Sequence, residues 1–225
     1  MSETTTAYEA WDARWRTPEG RADWLSPDPE VAATAAWARQ RGGESALDLG
    51  CGVGRHTVVL AELGYRTFAL DASAAGLDHA RAALVARGLE ADLRLGHMTA
   101  LPFPDGAFDY VLSLNVIYHG DPAAVQQAIG EIRRVLRPGG IYQGTMLSQR
   151  NSKYGRGEQI APDTFVNHEA QGDKPHPHYY ARALDVARLF EGFEILKLED
   201  REQRAPGAWH WYLVAERRPD AASRA

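Results

Sequence analysis

The residues best placed to do chemistry start with Asp48-Leu49-Gly50-Cys51-Gly52-Val53-Gly54. An apolar run precedes the three alternating glycines and a helical pattern follows them. Glycine tolerates positive φ and lets a ligand approach the backbone closely. A helix behind such a turn presents free N–H groups, which suit a ligand carboxylate or phosphate. The spacing is G-x-G-x-G, not the G-x-G-x-x-G of dinucleotide folds. Asp48 would repel a pyrophosphate and suits a cation. Asp71 ends the next apolar run, Tyr65-Arg66-Thr67-Phe68-Ala69-Leu70. An acid at a strand tip is placed to accept from both hydroxyls of a ribose. Acid, glycine turn and ribose acid together favour S-adenosylmethionine (SAM) over NAD.

A second group follows the fourth apolar run: Ser113-Leu114-Asn115-Val116-Ile117-Tyr118-His119. The cleft of a parallel sheet opens at such a carboxyl end. Asn115 offers an amide and a carbonyl there, and Tyr118 and His119 share its neighbourhood. The stretch is not the Asn/Asp-Pro-Pro-Tyr/Phe of nucleic-acid amino-methyltransferases. The late chain is rich in histidine and aromatics: His168, Pro175-His176-Pro177-His178-Tyr179-Tyr180 and Trp209-His210-Trp211. Substrate lid, metal site and plain surface are the competing readings. The spacing of His176 and His178 lacks a partner at a defined distance, so no metal ligands are assigned and the lid is preferred. Candidate catalytic residues are His119, Tyr118, Tyr180 and His178.

Four blocks carry a family resemblance: Leu47 to Gly54, Ala69-Leu70-Asp71-Ala72-Ser73, Leu101-Pro102-Phe103-Pro104-Asp105-Gly106-Ala107-Phe108-Asp109, and Val135-Leu136-Arg137-Pro138-Gly139-Gly140. From Ala46 to Met146 the chain resembles a class I SAM-dependent methyltransferase (methyltransferase domain type 11/25). It is most similar to the tellurite-resistance-like and thiol-methyltransferase-like members. The resemblance implies an α/β, Rossmann-like sheet of seven mostly parallel strands with helices on both faces. The last strand is then antiparallel, between strands five and six. It implies SAM as cofactor and S-adenosylhomocysteine as product. Gly50, Cys51, Gly52 and Gly54 would shape the turn beneath the methionine part, Asp48 would hold its amino group, and Asp71 the ribose. Ala72 and Met98 would face the adenine. His97 stands where the family usually has an acid, and Asn115 lies near the methyl donor. The implied acceptor is a small thiol or chalcogen nucleophile. An aromatic or heterocyclic metabolite methylated on N or O is the alternative, and a non-catalytic SAM-binding protein a third reading.

The elements that must position these groups alternate along the chain. Helices are expected over 29–41, 55–63, 74–87, 122–136 and 182–190. Strands are expected over 45–49, 66–70, 92–95, 108–114, 141–147, 193–198 and 209–215. This alternation belongs to a parallel sheet covered on both faces. Ser73 reads as a helix N-cap. Tyr8, Trp11 and Trp15 recur at helical spacing, so residues 1–44 form a helical cover on a methyltransferase domain of 45–218. Residues 148–181 insert as a substrate lid, and 1–8 and 219–225 read as disordered. A net charge of -5 argues against nucleic-acid partners. No apolar run reaches the roughly 18 residues of a membrane span. The polar N-terminus lacks a signal-peptide pattern, and the single cysteine, Cys51, permits no internal disulfide. The expectation is a cytoplasmic monomer or homodimer with a small-molecule acceptor.

Overall fold

The computed structural model describes residues 6–219. The elements run α1 (Tyr8–Trp15), α2 (Pro18–Ala22), α3 (Pro29–Gln40), β1 (Ser45–Leu49), α4 (Arg55–Glu62), β2 (Arg66–Asp71), α5 (Ala74–Val85), β3 (Asp92–Leu95), β4 (Phe108–Ser113) and α6 (Pro122–Val135). They continue with β5 (Leu136–Ser148), β6 (Glu158–Ala161), β7 (Thr164–Val166), β8 (His178–Ala181), α7 (Ala183–Leu189), β9 (Phe193–Glu202) and β10 (Trp209–Arg217). Every residue of β1 is buried, as a strand covered on both faces requires.

Side chains alternate across the sheet, and two cores result. Leu47, Val111 and Tyr142 pack on one face with Val125, Ile129 and Ile132 of α6 and with Val186 and Phe190. Ala46, Tyr110, Leu112 and Ile141 pack on the other with Val31, Ala35 and Ala38 of α3 and Leu60 of α4. The helix starts are capped by sequence-local chemistry. Asp28, Ser73 and Asp121 accept from Glu30, Gly76 and Ala124 N–H at the starts of α3, α5 and α6.

The main sheet runs β3-β2-β1-β4-β5, all parallel. β10 lies antiparallel between β5 and β9, the inserted last strand that was expected. The expected count of seven strands is too low. The stretch 148–181 is built into the sheet: β8 pairs parallel with the end of β5, Leu147 to Tyr180 and Ser148 to Ala181. β7 and β6 then add antiparallel pairs. Strand β5 outruns β4, whose pairing ends at Ser113↔Gly144, and β8 takes the backbone groups left open. The disorder expected for 1–8 lies outside the described residues up to position 5. Thr6 to Tyr8 are ordered, with Ala7 buried and Tyr8 opening α1. The tail expected at 219–225 lies outside them from 220 on. Among the described residues, no helix is long and apolar enough to cross a membrane.

Gly54 caps α4 at φ 81°. A Cβ there would stand 2.6 Å from the Cβ of Ala80, so α4 and α5 approach through a hydrogen atom. Gly54→Ala should therefore lower folding stability by about 1–3 kcal/mol, from strain and overpacking. Urea denaturation followed by circular dichroism measures this.

Candidate active site

Strand order reverses between β1 and β4, and the crevice of a doubly wound sheet opens at such a point. A cleft of about 930 Å³, its open mouth included, lies there. Asp48, Gly50, Cys51 and Gly52 reach it from β1, Asp71 and Ala72 from β2, His97 and Met98 from β3, and Asn115 and His119 from β4.

The glycine loop folds back on β2. Gly50 and Cys51 N–H donate to the Leu70 carbonyl at 2.7 and 3.2 Å. Asp71 accepts from Gly52 N–H at 2.7 Å and from Ser73 N–H at 2.8 Å, one carboxylate oxygen for each. Burial raises the Asp71 pKa against those bonds. A Cβ on Gly50 would meet Val116 at 2.4 Å, so only glycine fits under the β4 loop. Asp48 accepts from Thr57 Oγ1 at 2.7 Å, and burial still pushes its carboxyl up to about 6. Burial and these two carboxylates raise the Cys51 thiol well above its ordinary range. Asn115 adopts φ 65°. Its N–H and Oδ1 both meet Thr145 Oγ1, at 2.8 and 3.1 Å, which leaves a buried Nδ2 without a partner.

Helix α1 crosses the cleft. Trp11 stacks on Trp15 at 5.0 Å, Trp24 stands edge-on to Trp11 at 4.9 Å, and Tyr8 is edge-on to His97 at 4.8 Å. Arg55 lines the same space with its guanidinium 5.2 Å from the Trp24 ring. Asp12 fastens α1: its Oδ1 accepts from Ser73 Oγ at 2.8 Å and Ala75 N–H at 3.0 Å. Sequence reasoning missed Asp12, whose partners lie 61 and 63 residues away.

Four expected residues stand elsewhere. Gly54 faces Ala80, away from the cleft, because it mediates helix packing. Tyr118 is buried behind His119, and burial raises its phenol so far that it stays protonated. Tyr180 packs with Tyr154 and Phe165 in the core of the insertion. His178 is buried beside the cleft, off its wall, and burial lowers its pKa to about 4. The insertion nonetheless meets the site. Asp173, which sequence reasoning passed over, sets one carboxylate oxygen 3.2 Å from His119 Nε2 and 3.2 Å from His178 Nε2.

Residues 47–143 match the Methyltransf_11 family, described as "Methyltransferase domain". Over that stretch the chain is similar to methyltransferase domains. The chain is 31% identical over 163 residues to a probable S-adenosylmethionine-dependent methyltransferase of Mycolicibacterium smegmatis, covering 70% of this chain and 55% of the relative. The chain spans about half the length of the first curated relatives it matches. A SAM-dependent methyltransferase of Methanosarcina mazei superposes with a TM-score of 0.69 at 21% identity, over 79% of this chain and 93% of that one. The Burkholderia thailandensis 1,6-didemethyltoxoflavin-N1-methyltransferase, solved with S-adenosylhomocysteine, gives 0.68 at 20% identity, over 95% and 88%. The fold is that of the SAM-dependent class I methyltransferases.

Removing the anchor of α1 should loosen the cover of the cleft without unfolding the sheet. Asp12→Ala should cost about 1 kcal/mol of stability and speed amide exchange in α1. Hydrogen exchange read by mass spectrometry checks both the place and the size of the change.

Proposed function

We propose that this chain is a SAM-dependent methyltransferase of a small-molecule acceptor. The reading rests on one observation: Asp48, the glycine loop, Asp71 and Asn115 converge on a single cleft at the reversal of strand order. SAM supplies an electrophilic methyl group on a sulfonium and leaves as S-adenosylhomocysteine. The cleft fits that group. A cationic amine suits the buried carboxylate of Asp48. The unpartnered Nδ2 of Asn115 offers a donor to a ligand carboxylate or hydroxyl. Asp71 retains lone pairs for ribose hydroxyls beyond the two backbone bonds it accepts. Tyr8, His97 and Met98 form a wall for the adenine ring.

His119 is the group that faces the acceptor. Its Nδ1 donates to the Val116 carbonyl at 2.8 Å, because a carbonyl only accepts, and Nε2 lies 3.2 Å from Asp173 Oδ2. It can take a proton from an amine or hydroxyl. A thiolate needs no such base. The aromatic residues Trp11 and Trp24 line the cleft, which favours a flat aromatic or heterocyclic acceptor over a small thiol or chalcogen. Trp11 also stands 6.3 Å from His119, ring to ring, so the cover and the base bound the same space. The cover orients the acceptor and excludes water, which is most of what methyl transfer asks of a protein.

A coupled assay of S-adenosylhomocysteine release over thiols, tellurite, amines and heteroaromatic alcohols tests the reading. Turnover confined to thiols or tellurite would reverse the acceptor preference. Tight SAM binding without turnover on any acceptor would favour the non-catalytic reading. Asp71→Ala should weaken SAM by roughly 10- to 100-fold, the loss of hydrogen bonds to a charged group. Calorimetry reads this directly. His119→Ala should bind SAM like the parent and turn over roughly 100-fold more slowly.

The Asp48 carboxyl titrates near 6 in the free protein. A cationic ligand binds its ionised form, so a proton must leave before binding at lower pH. SAM affinity should be level above about pH 7 and fall by up to roughly tenfold per pH unit below 6. The slope should vanish in Asp48→Asn, and calorimetry across pH 5–8 measures it.

A further inference from the structure

His119, Asp173 and His178 carry an arrangement that methyl transfer alone does not explain. Their nearest ligand atoms all lie within 4.8 Å of one another. His119 Nδ1 is 2.8 Å from the Val116 carbonyl and His178 Nδ1 is 2.7 Å from the His176 carbonyl. Each Nδ1 therefore donates to its carbonyl, and each ring turns Nε2 inward. Both Nε2 atoms meet the same oxygen, Asp173 Oδ2, at 3.2 Å. Three potential metal ligands thus face one another. Lys174 stands to one side, with Nζ 2.9 Å from His178 Nε2 and 3.2 Å from Asp173 Oδ1.

We propose that His119, Asp173 and His178 hold a divalent first-row transition-metal ion at the wall of the cleft, where it binds an oxygen or nitrogen of the methyl acceptor. Two imidazoles and a carboxylate suit such an ion. With ligands about 2.1 Å from the metal, neighbouring ligand atoms stand roughly 3.0–3.4 Å apart, and both measured edges are 3.2 Å. Metal-binding histidines commonly anchor the second ring nitrogen on a carbonyl, as both do here. The frame is rigid: Tyr179 N–H donates to the Tyr118 carbonyl at 2.9 Å, tying the strand of His178 to the loop of His119. Both histidines are buried, and His119 lines the cleft, so an ion held by Nε2 of His119 would stand beside the acceptor space. Lys174, partly exposed, swings outward as the metal enters. The role toward the acceptor rests on the methyltransferase reading and takes the place of the His119 base, whose Nε2 the ion occupies: coordination acidifies an acceptor hydroxyl, its proton leaves to water, and the freed oxygen pair takes the methyl as S-adenosylhomocysteine departs.

Chelator-treated full-length protein is titrated with Zn²⁺ in a calorimeter, then with Co²⁺ under visible and proton-NMR observation. One equivalent should bind. The Co²⁺ form should show two paramagnetically shifted, slowly exchanging imidazole N–H signals, the protons held by the Val116 and His176 carbonyls. Asp173→Asn and His178→Ala should weaken binding by roughly tenfold or more, and Lys174→Met should tighten it. His176→Ala should bind like the parent. Absence of the two N–H signals in the parent protein overturns the site without relying on any variant's folding. Loss of affinity in His176→Ala equal to that in His178→Ala also overturns it. SAM is titrated into the same samples. Normal SAM binding with no metal uptake rejects the metal site alone, whereas failure to bind SAM rejects the methyltransferase reading.

Discussion

The bonds from Asp71 to Gly52 N–H and Ser73 N–H hold this structure's working end together. One carboxylate at the tip of β2 pins the loop after β1 and the first turn of α5. Without it, the positive-φ glycine loop after β1 and the start of α5 would meet with nothing to fix their spacing. Ser73 is held in turn by Asp12 of α1. The order of the cover is thus transmitted from the sheet through two carboxylates. The bonds are buried and charge-assisted, the setting in which hydrogen bonds contribute most.

Much of this was legible in the sequence because its signals are local. The glycine turn, the cap at Ser73, the helix start at Pro122, and the apolar runs of β1, β2 and β4 depend on neighbours a few residues away. Their spans agree with the structure to within a residue or two. Asp48, Asp71, Asn115 and His119 were legible because a parallel sheet places its ligands at strand ends. The rest depends on distant partners. Strands β6 to β8 are three or four residues each, too short for a period, and β8 exists because β5 outruns β4. Tyr118 and Tyr180 carry reactive groups by type, yet burial makes them packing residues. Asp173 lies next to Lys174 in sequence and reads as a surface charge until the fold brings His119 to it.

The N-terminal cover and the insertion are far apart in sequence and joined in space. Thr6 Oγ1 and His176 Nδ1 lie 2.9 Å apart, 170 residues distant along the chain. Trp11 reaches His119 from one side while Asp173 reaches it from the other. The His119 side of the cleft is therefore assembled from three parts of the sequence around one imidazole, and its lining can change in any of them without disturbing the glycine loop.

Cys51 shows what this electrostatic arrangement does to a bystander. It is the chain's one thiol, buried, with Asp48 and Asp71 both opposing its ionisation. Only the thiolate attacks oxidants and alkylating agents. The negative field that welcomes a sulfonium thus keeps the neighbouring sulfur protonated and inert. On the proposed reading, a loop that receives an alkylating cofactor carries a cysteine at its centre without becoming the thing that is methylated.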